Sequence, residues 1–134
     1  MSVPTHTARG ARTLFALAAV SGALAVAMGA FGAHALEDMV SPARLETWRT
    51  GAAYALGHAT PALLASAMAA WSGQRAAYAA AILFLMGTVL FSGGLYALVL
   101  LDLPVLGAVA PLGGVSFIAG WIALAWSGWR LRAG

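Results

Sequence analysis

Four apolar stretches without a single Asp, Glu, Lys or Arg, at residues 14–36, 52–71, 76–101 and 103–126, take up most of the 134-residue chain. Each has 20 or more residues. At ~1.5 Å per residue, an α-helix of that length crosses a hydrocarbon layer of about 30 Å. An ionised side chain at mid-bilayer costs ~2.5–3.5 kcal/mol on insertion scales, so charge-free runs this long read as membrane spans. The expected fold is all-α: an integral membrane four-helix bundle, with residues 1–134 forming one four-span membrane domain.

Charged residues make up only 8% of the chain, against about 25% in an ordinary soluble domain. Once the spans are placed, only short loops and tails remain. The net charge of +3 comes from seven arginines against four acids, and the arginines lie at the edges of the spans. That placement suits topology signals and lipid headgroups, not nucleic acid. With no cysteine, disulfides and thiolate metal sites are excluded. Arg9 and Arg12, an apolar stretch and Ala33-His34-Ala35 together resemble a signal peptide. The apolar part exceeds the usual 7–15 residues, and the segment is expected to stay as the first span.

Four spans put both termini on one side. That side, with the second loop, carries Arg9, Arg12, Arg75, Arg130 and Arg132, whereas the other carries Arg44 and Arg49. Arginine-rich loops stay cytoplasmic, so the expected orientation in a bacterial inner membrane is N-in, C-in. Trp71, Tyr78, Trp126 and Trp129 then form the inner aromatic belt. In the first loop, Ser41-Pro42 is a good helix start, with Ser as N-cap and Pro at the first position. Leu45, Trp48 and Ala52 follow on one face. The pattern predicts a short amphipathic helix on the outer membrane surface, running into span two.

Helices in lipid associate by close van der Waals packing, and small residues mark the contacts. In span one, Ala18, Gly22, Ala25, Gly29 and Gly32 form one stripe, with Ala23, Ala27, Ala30 and His34 on roughly the opposite face. Span one is thus expected to pack on two sides, against its own bundle and against a neighbour. The alternative is an alanine-rich composition that fills both faces without meaning. Pro111, Gly113 and Gly114 in span four predict a kink or local unwinding there, and Pro61 acts similarly in span two.

Most intramembrane polar groups fall at matching depth in the outer half: His34, Tyr54 and His58, then Thr88, Ser92 and Tyr96 at i, i+4, i+8, then Pro111 to Ser116. Intramembrane ionisable groups are functional candidates by default. The candidate cluster is His34, Tyr54, His58, Ser92, Tyr96, Pro111, Gly113 and Gly114. Three chemistries are open to it. The imidazoles could relay protons or line a small-solute path. They could ligate haem or a metal, although no third ligand and no intramembrane acid stands near. They could also serve as hydrogen-bonding glue, donating to carbonyls freed by Pro61 and Pro111. No hydrolase or transferase constellation is visible, and Gly93-Gly94 and Gly113-Gly114 lack the Lys-Ser/Thr of a phosphate loop.

The stretches GAFGAHAL (29–36), YALGHA (54–59), FSGGLYAL (91–98) and APLGGVSFIAGW (110–121) occur in this order. Together they resemble the small four-span membrane proteins of the domain of unknown function 423 family, to which animal transmembrane protein 256 is similar. The resemblance implies an integral membrane protein with no established activity, substrate or cofactor. Its pattern includes His34, His58, Ser92, Tyr96, Pro111, Gly113 and Gly114, while Leu56-Gly57 departs mildly from it. The expected function is packing or assembly in the membrane without enzyme activity, catalytic residues, metal or cofactor. The partners are the lipid bilayer and a second copy or another membrane protein. A small-solute or proton transporter using the His/Tyr cluster is the alternative, and a haem- or metal-binding protein the third.

Overall fold

The computed structural model describes residues 5–131, with side chains from residue 8. Arg132, one of the arginines in the orientation argument, lies outside the described residues. The elements are α1 (Thr5–His34), α2 (Pro42–Ser72), α3 (Arg75–Thr88), a π turn (Val89–Gly93), α4 (Gly94–Leu101), a 3₁₀ segment (Pro104–Ala108) and α5 (Ala110–Trp129). The third span is thus α3, the π turn and α4 in one continuous rod. Lipid offers no hydrogen bonds, and helices satisfy their backbone groups internally.

The breaks fall where local chemistry requires them. Ser41 caps α2, its hydroxyl accepting from the Arg44 N–H at 3.3 Å, and Pro42 occupies the first turn. α2 ends at Gly73, whose φ of 68° is left-handed and whose N–H bonds the Ala69 carbonyl at 3.0 Å. Glycine is the residue that adopts this conformation without a Cβ penalty. α4 ends at Asp102, also left-handed at φ 52°, and the Asp102 carboxylate accepts from the Arg44 guanidinium at 2.7 Å. That ion pair joins the first loop to the third break, so both lie at one end of the bundle, as an up-and-down arrangement of spans demands.

Two expectations are modified. The segment after Ser41 is not a separate surface helix but the first turns of a 31-residue α2 that runs unbroken through Pro61. Its apolar face turns to protein: Leu45 and Trp48 are buried with Leu36, Leu98 and Val99. Span four does not kink at Pro111. It begins as the 3₁₀ segment and becomes α-helical at Ala110, which leaves Pro111 in the first turn, where a missing N–H removes no hydrogen bond.

Among the described residues, three helical stretches are long and apolar enough to cross a membrane: Ala8–His34, Arg75–Leu101 and Pro104–Trp129. α2 is long enough, but Tyr54, His58, Thr60, Pro61 and Ser66 dilute its apolar run. Of these, Pro61 and Ser66 are buried on α2, while Tyr54 and Thr60 stand exposed on it. α1 packs along one side of it and the third span along the other, while α5 packs on the third span. The α1–α2 and α2–α3 seams are built from alanines, with Ala18, Ala62, Ala65, Ala69, Ala77, Ala80 and Ala81 all buried. Between α5 and the third span, glycines receive rings. A Cβ on Gly87 would stand 2.5 Å from the Phe117 ring, one on Gly120 would stand 3.0 Å from Phe84, and one on Gly113 would collide with the Phe91 backbone.

Candidate functional site

α2 sets Tyr54 and His58 one turn apart on a shared face. His58 Nδ1 lies 2.8 Å from the Tyr54 carbonyl, and Nε2 lies 3.3 Å from the indole nitrogen of Trp121 on α5. A carbonyl only accepts and an indole N–H only donates. The two bonds together assign a neutral imidazole protonated on Nδ1. The ring lies flat on Phe117, centroids 3.6 Å apart and planes 10° apart, while Tyr54 stacks on Phe91 at 4.4 Å. Phe84 meets Trp121 edge-on at 5.2 Å. This aromatic block fills the space between α2 and α5. Both His58 nitrogens are engaged within it, so neither offers a free lone pair. Among the described residues, no three His, Cys, Asp or Glu side chains stand close enough to hold a metal ion.

Ser92 and Tyr96 lie elsewhere, in a groove between α1 and the third span. Its volume is about 420 Å³, and its walls include Leu24, Met28, Ala55, Thr88, Ser92 and Tyr96. Trp48 packs against Tyr96 with ring centroids 4.4 Å apart and planes tilted by 39°, and its indole N–H donates to the Met28 carbonyl at 2.7 Å, which fixes α2 to α1. Gly51 lets the Tyr96 ring lie close, since a Cβ there would stand 2.9 Å from it. Ser92 is buried on the π turn, a deformation that often accompanies functional sites. The Ser92 and Tyr96 hydroxyls are the buried side-chain polar atoms with no hydrogen-bond partner among the described residues. Leaving such a group unpaired costs ~1–3 kcal/mol.

The structure therefore divides the residues that share depth between two places. Tyr54 and His58 belong to the aromatic block, and Ser92 and Tyr96 to the groove. His34, the last residue of α1, is exposed and joins neither. Pro111 is exposed, a Cβ on Gly114 would meet open space, and Gly113 serves contact with Phe91. Equal depth did not bring these groups together, because rotation about each helix axis points them to different neighbours. The hydrogen bond of His58 also goes to Tyr54, one turn before the Gly57 carbonyl that Pro61 leaves free. Of the span-one stripe, Ala25 is buried, Gly32 sits beneath the Trp48 ring, and a Cβ on Gly22 would stand 3.5 Å from the Ala59 methyl. Gly29 faces open space.

The sequence pattern singled out the Pro and Gly positions of APLGGVSFIAGW and placed Ser116 at their depth, but gave no role to Phe117 and Trp121. Ser116 donates to the Leu83 carbonyl at 2.7 Å, and the two rings hold His58. Their spacing was the available signal: Phe117 and Trp121 are i, i+4, the same interval as Tyr54 and His58 on the facing helix.

Residues 28–114 match the family described as "Protein of unknown function (DUF423)". The UPF0382 membrane protein YwdK of Bacillus subtilis is 43% identical over 107 residues, which is 79% of this chain and 87% of the relative. The UPF0382 inner membrane protein YgdD of Escherichia coli K12 is 40% identical over 125 residues, or 90% of this chain and 92% of the relative. A UPF0382 membrane protein of Staphylococcus epidermidis is 39% identical over 108 residues, covering 81% of this chain and 88% of the relative. No solved structure matches the chain. With the motifs, the helical architecture and these relatives in agreement, the chain is a multi-pass membrane protein that belongs to the DUF423 family.

Proposed function

We propose that this protein is a non-catalytic packing and assembly unit of the inner membrane, with cytoplasmic termini, associating with a second copy of itself through α1. One contrast carries this reading. The open face of α5 is bulky, with Leu112, Val115, Ile118 and Ile122 all exposed, which suits contact with lipid tails. The open side of α1 also exposes Val20, Val26 and Phe31, but between them it carries a stripe of small residues. Ala16, Ala19, Ala23, Ala27 and Ala30 recur every three or four residues and are all exposed. Small residues admit a second helix backbone at close range, where dispersion replaces the missing hydrophobic drive.

The engaged His58 nitrogens support a structural role for that imidazole. A proton path through His34, His58 and Tyr96 draws no support from their placement on separate faces. Solubilisation in a gentle detergent followed by native mass spectrometry tests the proposal. A dimer or higher oligomer is expected, and Ala27→Leu should shift it to monomer while leaving helicity intact. A monomer at every protein concentration would contradict it.

A further inference from the structure

The two ends of the bundle differ in charge. All four acids, Glu37, Asp38, Glu46 and Asp102, lie at the end that holds the first loop and the third break. The opposite end carries Arg9, Arg12, Arg75 and Arg130 and, among the described residues, no acid. The one ion pair among those residues, Arg44–Asp102, belongs to the acidic end. The third span, Arg75–Leu101, has 27 residues. That is ~40 Å of helix, close to the ~40–45 Å of a bilayer with its headgroups. With Asp102 in one headgroup layer, Gln74 and Arg75 therefore stand in the other.

At that arginine-bearing edge a notch of about 690 Å³ opens between the end of α2, the turn into α3 and the end of α5. Trp71, Ser72, Gln74, Arg130 and Leu131 line it. Its polar groups are held in place. Ser127, fully buried, donates to Gln74 Oε1 at 3.1 Å. That bond engages the acceptor end of the amide and leaves the two N–H groups as donors. The Arg130 guanidinium lies over the Trp126 ring, 5.3 Å from its centroid. A guanidinium stacked on a ring keeps its in-plane N–H groups for a bidentate acceptor such as a phosphate. The rim is aromatic, since Trp71 is 77% exposed, at the level where indoles sit between headgroups and tails.

We propose that this notch binds the headgroup of one anionic phospholipid, whose phosphate accepts hydrogen bonds from Arg130 and Gln74 while its glycerol backbone rests against Trp71. Charge selects the class. A zwitterionic headgroup would bring its own ammonium to an end with four arginines and no described carboxylate to receive it. The exposed indole selects a lipid over a soluble phosphate ester, which has no apolar part to set against Trp71. α1 contributes no residue to the notch, so binding here and self-association through the alanine stripe are separable.

The test uses the full chain in a non-ionic detergent, titrated with dioleoyl-phosphatidylglycerol or with phosphatidylcholine of the same tails. Native mass spectrometry reads the fraction of protein carrying one lipid. Saturable one-to-one binding of phosphatidylglycerol is expected, about tenfold tighter than that of phosphatidylcholine. Arg130→Gln should weaken it about tenfold, the effect of one lost charge-assisted contact. Arg130→Lys, which keeps the charge, should lose less, and Gln74→Leu should weaken binding as well. Arg130 is exposed and follows the last residue of α5, so these variants should keep wild-type helicity. Arg12→Gln removes the same charge from the same end outside the notch and should bind as wild type does. A large excess of sn-glycerol 1-phosphate should leave the lipid adduct in place. Equal affinity for the two lipids, equal losses in Arg130→Gln and Arg12→Gln, or displacement of the lipid by glycerol phosphate would overturn the proposal.

Discussion

The Trp121 indole N–H meets His58 Nε2 at 3.3 Å, and this bond ties α5 to α2 beside the stacked rings of His58 and Phe117. Replacing His58 by Leu removes the acceptor for Trp121 and the donor to the Tyr54 carbonyl. A loss of ~1–2 kcal/mol is expected, read as a lower unfolding temperature in detergent. His58→Gln, which can both accept and donate, should retain more than half of that stability. If Gln and Leu are equally destabilising, ring stacking on Phe117 and not hydrogen bonding is what His58 contributes.

Trp48 makes a second tie, from α2 to the Met28 carbonyl of α1. Trp48→Phe keeps a ring against Tyr96 but leaves that bond unmade, so it should cost about 1 kcal/mol. Trp48→Ala also opens a cavity beneath Gly32 and should cost ~3–5 kcal/mol. Thermal or denaturant unfolding of the two variants would show this ranking, and equal losses would mean that the hydrogen bond outweighs the packing.

The positions of the helices were legible in the sequence, but their facing was not. The charge-free runs and the Ser41-Pro42 cap located the helices because length, charge and capping act locally. The amphipathic pattern of Leu45, Trp48 and Ala52 was equally clear, yet it has the same form whether the apolar face meets lipid or protein. What decided it was the fit of Trp48 over Gly32 and against Tyr96, residues distant in sequence. The polar cluster failed for a related reason. Depth can be counted along a chain, whereas rotation depends on which small residues seat against which rings. The π turn at Val89–Gly93 left no local signal, because VLFSG contains nothing that a regular helix forbids.

Glycines of similar appearance should behave differently. A Cβ at Gly113 collides with the Phe91 backbone, while one at Gly114 meets open space. Gly113→Ala should destabilise by ~1–3 kcal/mol through forced backbone separation. Gly114→Ala should be neutral or mildly stabilising, by up to about 1 kcal/mol, from helix propensity. Unfolding temperatures of the two single variants check the register of α5 on the π turn, and a reversed order would place it wrongly.

At the polar edge, Asp102 combines an exposed ion pair with a left-handed backbone. An exposed pair contributes less than about 1 kcal/mol. Conformation should therefore dominate: Asp102→Asn and Asp102→Gly should stay within ~1 kcal/mol of wild type, and Asp102→Val should lose ~1–2 kcal/mol. Wild-type stability in Asp102→Val would show that the third break relaxes without cost.

Association through the alanine face of α1 is most directly tested by cysteine cross-linking, since the chain has no cysteine of its own. Single cysteines at Ala23, Ala27 and Ala30 on α1, and at Ile118 on the bulky face of α5, would be oxidised in native membranes and resolved by non-reducing electrophoresis. A disulfide-linked dimer is expected from at least one of the three α1 positions and not from Ile118. Cross-linking at Ile118 as efficient as on α1, or none at any of the four positions in folded protein, would contradict the account.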